Sequence, residues 1–278
     1  MVFFWSLNFV IAKAALREFP PLLLSCLRTS LAALFILPVY LWKSRGKPGG
    51  WTRADVPALA MLGIFGVALN QIFFVSGLNR TSVGHSAFMI GLTPVMVLLL
   101  AAARGLEKLN LKRLAGMGVA LAGVTVLNLS PAKSAGASPS GDALVLLAGL
   151  TFALFTVGSK EVTKRHDSIT VNTIAYWAGA AVLAPIGWWL GAGFPFGAVS
   201  AKAWAALAYM AAFPSVVCYL IFYYALTHIP ATRVSTVSYV QPLLATVLGS
   251  ALLGETVTGG LVAGGMLILA GVYVSERL

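Results

Sequence analysis

The sequence predicts an all-α integral membrane protein with ten transmembrane helices, arranged as two inverted five-helix repeats. Three observations predict it: a composition suited to lipid, apolar runs of bilayer length along nearly the whole chain, and a long-period internal repeat. Of 278 residues, 59% are hydrophobic and 10% charged, with a mean hydropathy of +0.90. An ordinary soluble domain carries about 25% charged residues. A bilayer core about 30 Å thick needs about 20 apolar residues per helical crossing. A soluble helix of this length would instead alternate apolar and polar faces at helical period. That class is excluded.

Spans are expected at approximately 1–15, 22–42, 56–78, 82–103, 111–129, 142–163, 168–190, 202–225, 231–253 and 259–275. The breaks have local causes. Pro20-Pro21, the run from Lys43 to Gly50 and Ser130-Pro131 cannot continue a helix cheaply. The stretch from Ala132 to Ser140 holds only small residues, Pro and one Lys, and reads as a soft linker at the midpoint. Domains are therefore expected at 1–130 and 142–278, joined by a linker at 131–141. Cys26 and Cys218 both fall inside apolar runs, so they read as small buried hydrophobes and not as a disulfide. No basic stretch precedes the first apolar run, so no cleavable leader is expected. That run begins at Met1 and is short, which is consistent with a native start further upstream.

A net charge of +11 would suggest nucleic acid in a soluble protein. Here Lys and Arg collect in short loops, and no nucleic-acid partner is expected. Cytoplasmic loops carry the excess of Lys and Arg. With ten spans, thirteen of these residues share a side with both termini, five lie on the other side, and Arg28 falls within a span. Both termini are thus expected in the cytoplasm.

Self-similarity supplies the organisation. A shift of 148 residues lays Leu78 on Leu226, Pro94 on Pro242, Glu107 on Glu255, Gly116 on Gly264, and Leu121 to Val124 on Leu269 to Val272. Ala58-Leu59-Ala60 meets Ala206-Leu207-Ala208, and Phe74 meets Phe222. Upstream the shift is 147, with Lys13 on Lys160, Pro38 on Pro185 and Trp42 on Trp189. Scattered Leu and Ala matches arise by chance, whereas prolines, a glutamate and a glycine pattern in one register do not. A unit of five spans is odd, so the second copy enters the membrane from the opposite face. Inverted halves of this kind recur in transporters, with the solute site near the midplane where they meet.

The paired features resemble a known family. Gly91-Leu92-Thr93-Pro94 through Gly123-Val124, and Val240-Gln241-Pro242 through Gly271-Val272, are similar to the EamA-type drug/metabolite transporter superfamily. The likeness extends over essentially the whole chain. Phe4-Trp5-Ser6 and Ser238-Tyr239-Val240-Gln241-Pro242 are similar to the bacterial YddG-type amino-acid exporters. Membership implies a basket of ten helices in which spans 1, 3, 4, 6, 8 and 9 line a cavity while 5 and 10 pack at one end. It also implies export of a small metabolite by alternating access, most simply an amino acid, neutral or aromatic. The alternative is export of another metabolite or a cationic drug, with proton coupling as a variant.

Candidate residues follow from what the spans contain. All eight acidic residues fall at span ends or in loops. An ion-coupled carrier usually holds a carboxylate deep in the membrane, so facilitated movement is expected. Polar and aromatic side chains within spans are the substrate-binding candidates. These are Trp5 and Asn8 in span 1, Asn70 with Gln71 in span 3, and His85, Met89 and Thr93 in span 4. Tyr219 and Tyr223 in span 8 and Ser238, Tyr239 and Gln241 in span 9 complete the set. Buried polar groups in lipid need partners, so interhelical hydrogen bonds are the competing role for each. Aromatic faces also suit an ammonium group. Pro94 and Pro242 each free a backbone carbonyl, Ile90 and Ser238, and are candidate gating hinges.

Arg28 is expected to snorkel outward along its stem, and its isolation weighs against an anionic solute. The glycines of spans 5 and 10 read as close-packing positions, and Trp42, Trp51, Trp188, Trp189 and Trp204 as interface anchors. His85, His166 and His228 are scattered, with no acid pair or metal-ligand spacing beside them. No enzyme activity, cofactor or metal is expected. The expected partners are a small-molecule solute and the lipid bilayer, with the protein a monomer or homodimer.

Overall fold

The computed structural model describes residues 1–43, 52–105, 109–129, 138–229, 231, 234 and 240–277. Among the described residues the regular elements are helical and no strand occurs. They are α1 (Val2–Ala15), α2 (Pro21–Lys43), α3 (Val56–Arg80), α4 (Val83–Ala103), α5 (Leu111–Leu129), α6 (Pro139–Val162), α7 (Ser168–Gly191), α8 (Ala201–His228), α9 (Val240–Leu253) and α10 (Gly259–Arg277). Six of these, α2, α3, α4, α6, α7 and α8, are long and apolar enough to cross a membrane. Helices α1 and α9, at 14 residues each, are shorter. Residues 232, 233 and 235–239 of the ninth expected span lie outside the described residues, as do Trp51, Glu107 and the linker stretch 131–137.

Helix starts follow local chemistry. Ser82, Ser138, Asp167 and Ser200 cap α4, α6, α7 and α8, each accepting a backbone N–H from the first turn. Lys43 reaches across from the end of α2 to the Asp167 carboxylate at 2.6 Å. Partial burial pushes the Asp167 carboxyl up, but the bonds from Lys43 and Thr170 outweigh it and hold the group below its ordinary value.

The outer surface is apolar, as lipid contact requires. Leu34, Leu111, Leu121, Val247, Leu252 and Met266 are exposed, and so are Trp42, Trp188 and Trp189 near helix ends. Helices α5 and α10 pack antiparallel along their glycine faces. A methyl group added at Gly123 would meet the Gly264 carbonyl at 2.7 Å, and one at Gly264 would meet the Gly123 carbonyl at 2.8 Å. Gly116 lies equally close to Gly271. The sequence shift pairs Gly116 with Gly264 and Gly123 with Gly271, so one close contact maps onto the other.

The same correspondence recurs in three other places. Both α3 and α8 widen into π-helix at matching positions, Ile64–Leu69 and Ala211–Val217. Lys13 donates to the carbonyls of Leu78 and Thr81 where α3 ends, and Lys160 donates to those of Leu226 and Ile229 where α8 ends. Asn70 Nδ2 donates to the Ala148 carbonyl, while Cys218 Sγ, its counterpart, donates to that of Met1. In these hydrogen bonds each residue and its counterpart in the other half are 147 or 148 positions apart.

Candidate functional site

A cavity with an open mouth lies among α1, α2, α3, α4, α6, α8 and α9. Trp5, Asn8 and Phe9 enter from α1, three and four residues from the tryptophan and so on one helical face. Helix α3 contributes Asn70, Gln71 and Phe74, and α4 contributes Ile90 and Thr93. Arg28, Phe152, Tyr219 and Gln241 come singly from α2, α6, α8 and α9.

The π-helical turns explain how the wall is held. A π-turn displaces one carbonyl from the regular ladder. In α3 Gly66 lies within the π-helical turn, and its oxygen accepts the Tyr219 hydroxyl at 3.1 Å. In α8 the matching position is Pro214, whose oxygen accepts Trp5 Nε1 at 3.1 Å. Two aromatic wall residues are thus pinned to matched points of the two helices. Phe155 fits against Gly66 so closely that an added methyl group would overlap its ring. Trp5 meets Phe152 and Tyr219 edge-on, each at a centroid distance of 6.0 Å. Phe9 meets Phe74 in the same way at 5.1 Å.

Helix α4 breaks at Gly91-Leu92 and restarts at Thr93, with Pro94 in its first turn. The Ile90 carbonyl, expected to be free for solute, is taken by the Thr93 hydroxyl at 2.6 Å. A methyl group added at Gly91 would stand 3.2 Å from the Pro242 ring, so the break of α4 packs against Pro242 of α9.

Seven of the candidates therefore share the cavity: Trp5, Asn8, Asn70, Gln71, Thr93, Tyr219 and Gln241. Three lie elsewhere. Met89 packs in the apolar core against α5 and α10, and Tyr223 is buried in the cluster around Phe155 and Phe222. His85 sits where α4 begins, with Nδ1 2.9 Å from the buried Asp142 carboxylate, which also accepts the Thr81 hydroxyl at 2.6 Å. Ser238 and Tyr239 fall outside the described residues. The shift itself carries a signal for one residue that sequence reasoning missed, because Phe152 is the counterpart of Trp5. Phe9 and Phe74 were missed as well, and nothing in an apolar span marks them.

Arg28 departs from expectation. It does not snorkel to the membrane edge: it is 2% exposed and faces the cavity. Its Nε donates to Ser215 Oγ at 3.1 Å, and Ser215 is held by its own bond to the Met210 carbonyl.

Helices with lipid-facing apolar surfaces, packed around a polar and aromatic cavity, define a multi-pass membrane protein. The chain belongs to the EamA-like transporter family, whose model matches residues 1–129 and again 139–276. It is a membrane transporter of that family, with a small-molecule solute and the bilayer as its partners. It is similar to an "Uncharacterized transporter" of Archaeoglobus fulgidus, with 28% identity over 98% of this chain and 93% of that protein. A "Probable terminal-alkyne amino-acid exporter" of Streptantibioticus cattleyicolor is 26% identical over 89% of this chain and 83% of its own length. A "Probable amino-acid metabolite efflux pump" of Salmonella typhimurium is 27% identical over 99% and 92%. A solved structure titled "Crystal structure of protein" superposes with a TM-score of 0.70 at 21% identity, covering 99% of this chain and 93% of that one. It supports the fold.

Proposed function

We propose that this transporter exports an amino acid or closely related small metabolite by alternating access between two inverted five-helix units. The cavity carries the reading. It joins hydrogen-bonding side chains to aromatic walls at the place where residues of both matched sets meet. The duplicated lysine caps, π-turns and glycine contacts support inverted halves, since one unit packed in two orientations offers an outward-open and an inward-open arrangement. The names of two relatives, an amino-acid exporter and an amino-acid metabolite efflux pump, favour amino acids as the class. Pro94 and Pro242 are proposed as hinges because the break of α4 beside Pro94 packs against Pro242. The units are proposed at 1–130 and 142–278, in a bacterial inner membrane with both termini cytoplasmic.

The test is counterflow uptake by purified protein in liposomes across a panel of amino acids, nucleosides and cationic drugs. Amino acids should exchange; no signal from any of them removes this solute class. Movement is proposed to be uncoupled, and accumulation against the solute's own gradient under an imposed pH gradient would overturn that. A proton-coupled variant is favoured by one observation, the buried His85–Asp142 pair at the end of α4. Reporter fusions to each terminus test the orientation, and an external position for either removes it.

A further inference from the structure

Three buried polar atoms on the cavity wall have no hydrogen-bond partner: Arg28 Nη1, Asn8 Oδ1 and Gln71 Oε1. The first belongs to a cation. Among the described residues no carboxylate contacts Arg28. The ionisable groups around it are the phenols of Tyr176, Tyr209 and Tyr219 and the thiol of Cys218, all neutral forms at ordinary pH. A buried charge without counter-charge is costly, and native proteins retain one where a ligand or ion completes it. The guanidinium is already anchored at one end, through Nε to Ser215, so its remaining N–H groups are held in place in the cavity wall. That planar fork matches a carboxylate, which can accept two parallel bonds. The two amide oxygens are acceptors and suit an ammonium group.

From these groups, and resting on the amino-acid reading above, we infer that Arg28 is the receptor for the solute carboxylate, with Asn8 and Gln71 taking the ammonium. The site then selects zwitterionic α-amino acids over the corresponding amines and amides. The solute supplies the counter-charge that the cavity lacks. An isolated arginine in a span is therefore an argument for a carboxylate-bearing solute, where the sequence alone set it against an anion.

The deciding measurement uses the wild-type protein. Thermal shift in detergent and competition of counterflow in liposomes are run with L-phenylalanine, L-phenylalaninamide, 2-phenylethylamine and 3-phenylpropanoate, then with L-leucine and L-threonine beside their amides. At least one amino acid should bind about tenfold or more tightly than its own amide. Equal affinity of acid and amide overturns the role of Arg28 and leaves amino-acid export standing. Binding of 3-phenylpropanoate with no response to any amino acid keeps the carboxylate receptor and removes the amino-acid reading. Silence from every compound overturns both. In Arg28→Gln the preference for acid over amide should disappear, while Arg28→Lys, which keeps the charge and loses the fork, should retain part of it. If neither variant folds, the wild-type series still decides. A folded Arg28→Gln protein with its preference intact refutes the assignment.

Discussion

Gly123 and Gly118 lie five residues apart on α5, yet alanine at the two positions should have opposite consequences. A methyl group at Gly123 would stand 2.7 Å from both the Gly264 carbonyl oxygen and the Ile268 amide nitrogen of α10, where ordinary contact begins at 3.4 Å. The shortfall, 3.4 less 2.7, is 0.7 Å, and the obstructing atoms are backbone, so no side chain can rotate to relieve it. The helices must separate or tilt. Overpacking of this kind costs about 1–3 kcal/mol. At Gly118 nothing lies within 4 Å of the added group. Alanine gains up to about 1 kcal/mol over glycine within a helix, and that gain is common to both variants. The difference between them isolates the steric cost, so Gly123→Ala should be less stable than Gly118→Ala by about 1–3 kcal/mol. Reversible unfolding in mixed detergent micelles, followed by tryptophan fluorescence, measures it. Gly264→Ala should resemble Gly123→Ala, and the double variant should cost less than the sum, because the first separation makes room for the second methyl group. Equal stability of Gly123→Ala and Gly118→Ala would refute the close backbone packing on which the α5–α10 pair is argued.

Asp142→Ala removes the acceptor of both His85 and Thr81 in a buried setting and should destabilise by about 3 kcal/mol in the same assay. Asp142→Asn, which keeps an acceptor, should cost less, and no loss in either variant argues against the buried pair. Tyr219→Phe strips the hydroxyl from the Gly66 carbonyl and should cost about 1–2 kcal/mol; an unchanged midpoint would mean that carbonyl finds another partner. Asp167, held below its ordinary value of 3.8, contributes stability that is complete above that pH and lost as the pH falls through its lower folded value. Lys43→Gln should flatten this acid loss, by no more than about 1 kcal/mol because the pair is half exposed to solvent. Unfolding at pH 7 and near pH 3 compares the two, and an acid slope equal to wild type removes Lys43 as the cause.

Hydropathy and turn chemistry placed most helix boundaries within a few residues. The bilayer leaves little choice: each crossing must be apolar, and Pro, Gly and Ser must mark the exits. Helix interruptions were partly legible. Pro94 announced the break in α4, but the π-turns in α3 and α8 have no proline in common and follow from tertiary packing. The roles of polar residues were legible as a class and not one by one. Asn8 and Thr93 reach the cavity, while His85 turns to Asp142 and Met89 to the core.

The sequence by itself determined that the chain lives in lipid, which segments form helices, and which residues of its two halves correspond, down to the lysine pair 13 and 160. Only the tertiary structure decided which side of each helix faces inward. A membrane helix is apolar around most of its circumference, so its pattern carries no strong inward face, in contrast to an amphipathic helix in water. Arg28 shows the consequence. Its place in a span was plain from the sequence. Whether its charge reached out to the membrane edge or into a cavity depended on helices more than 180 residues away, where Ser215 holds its Nε.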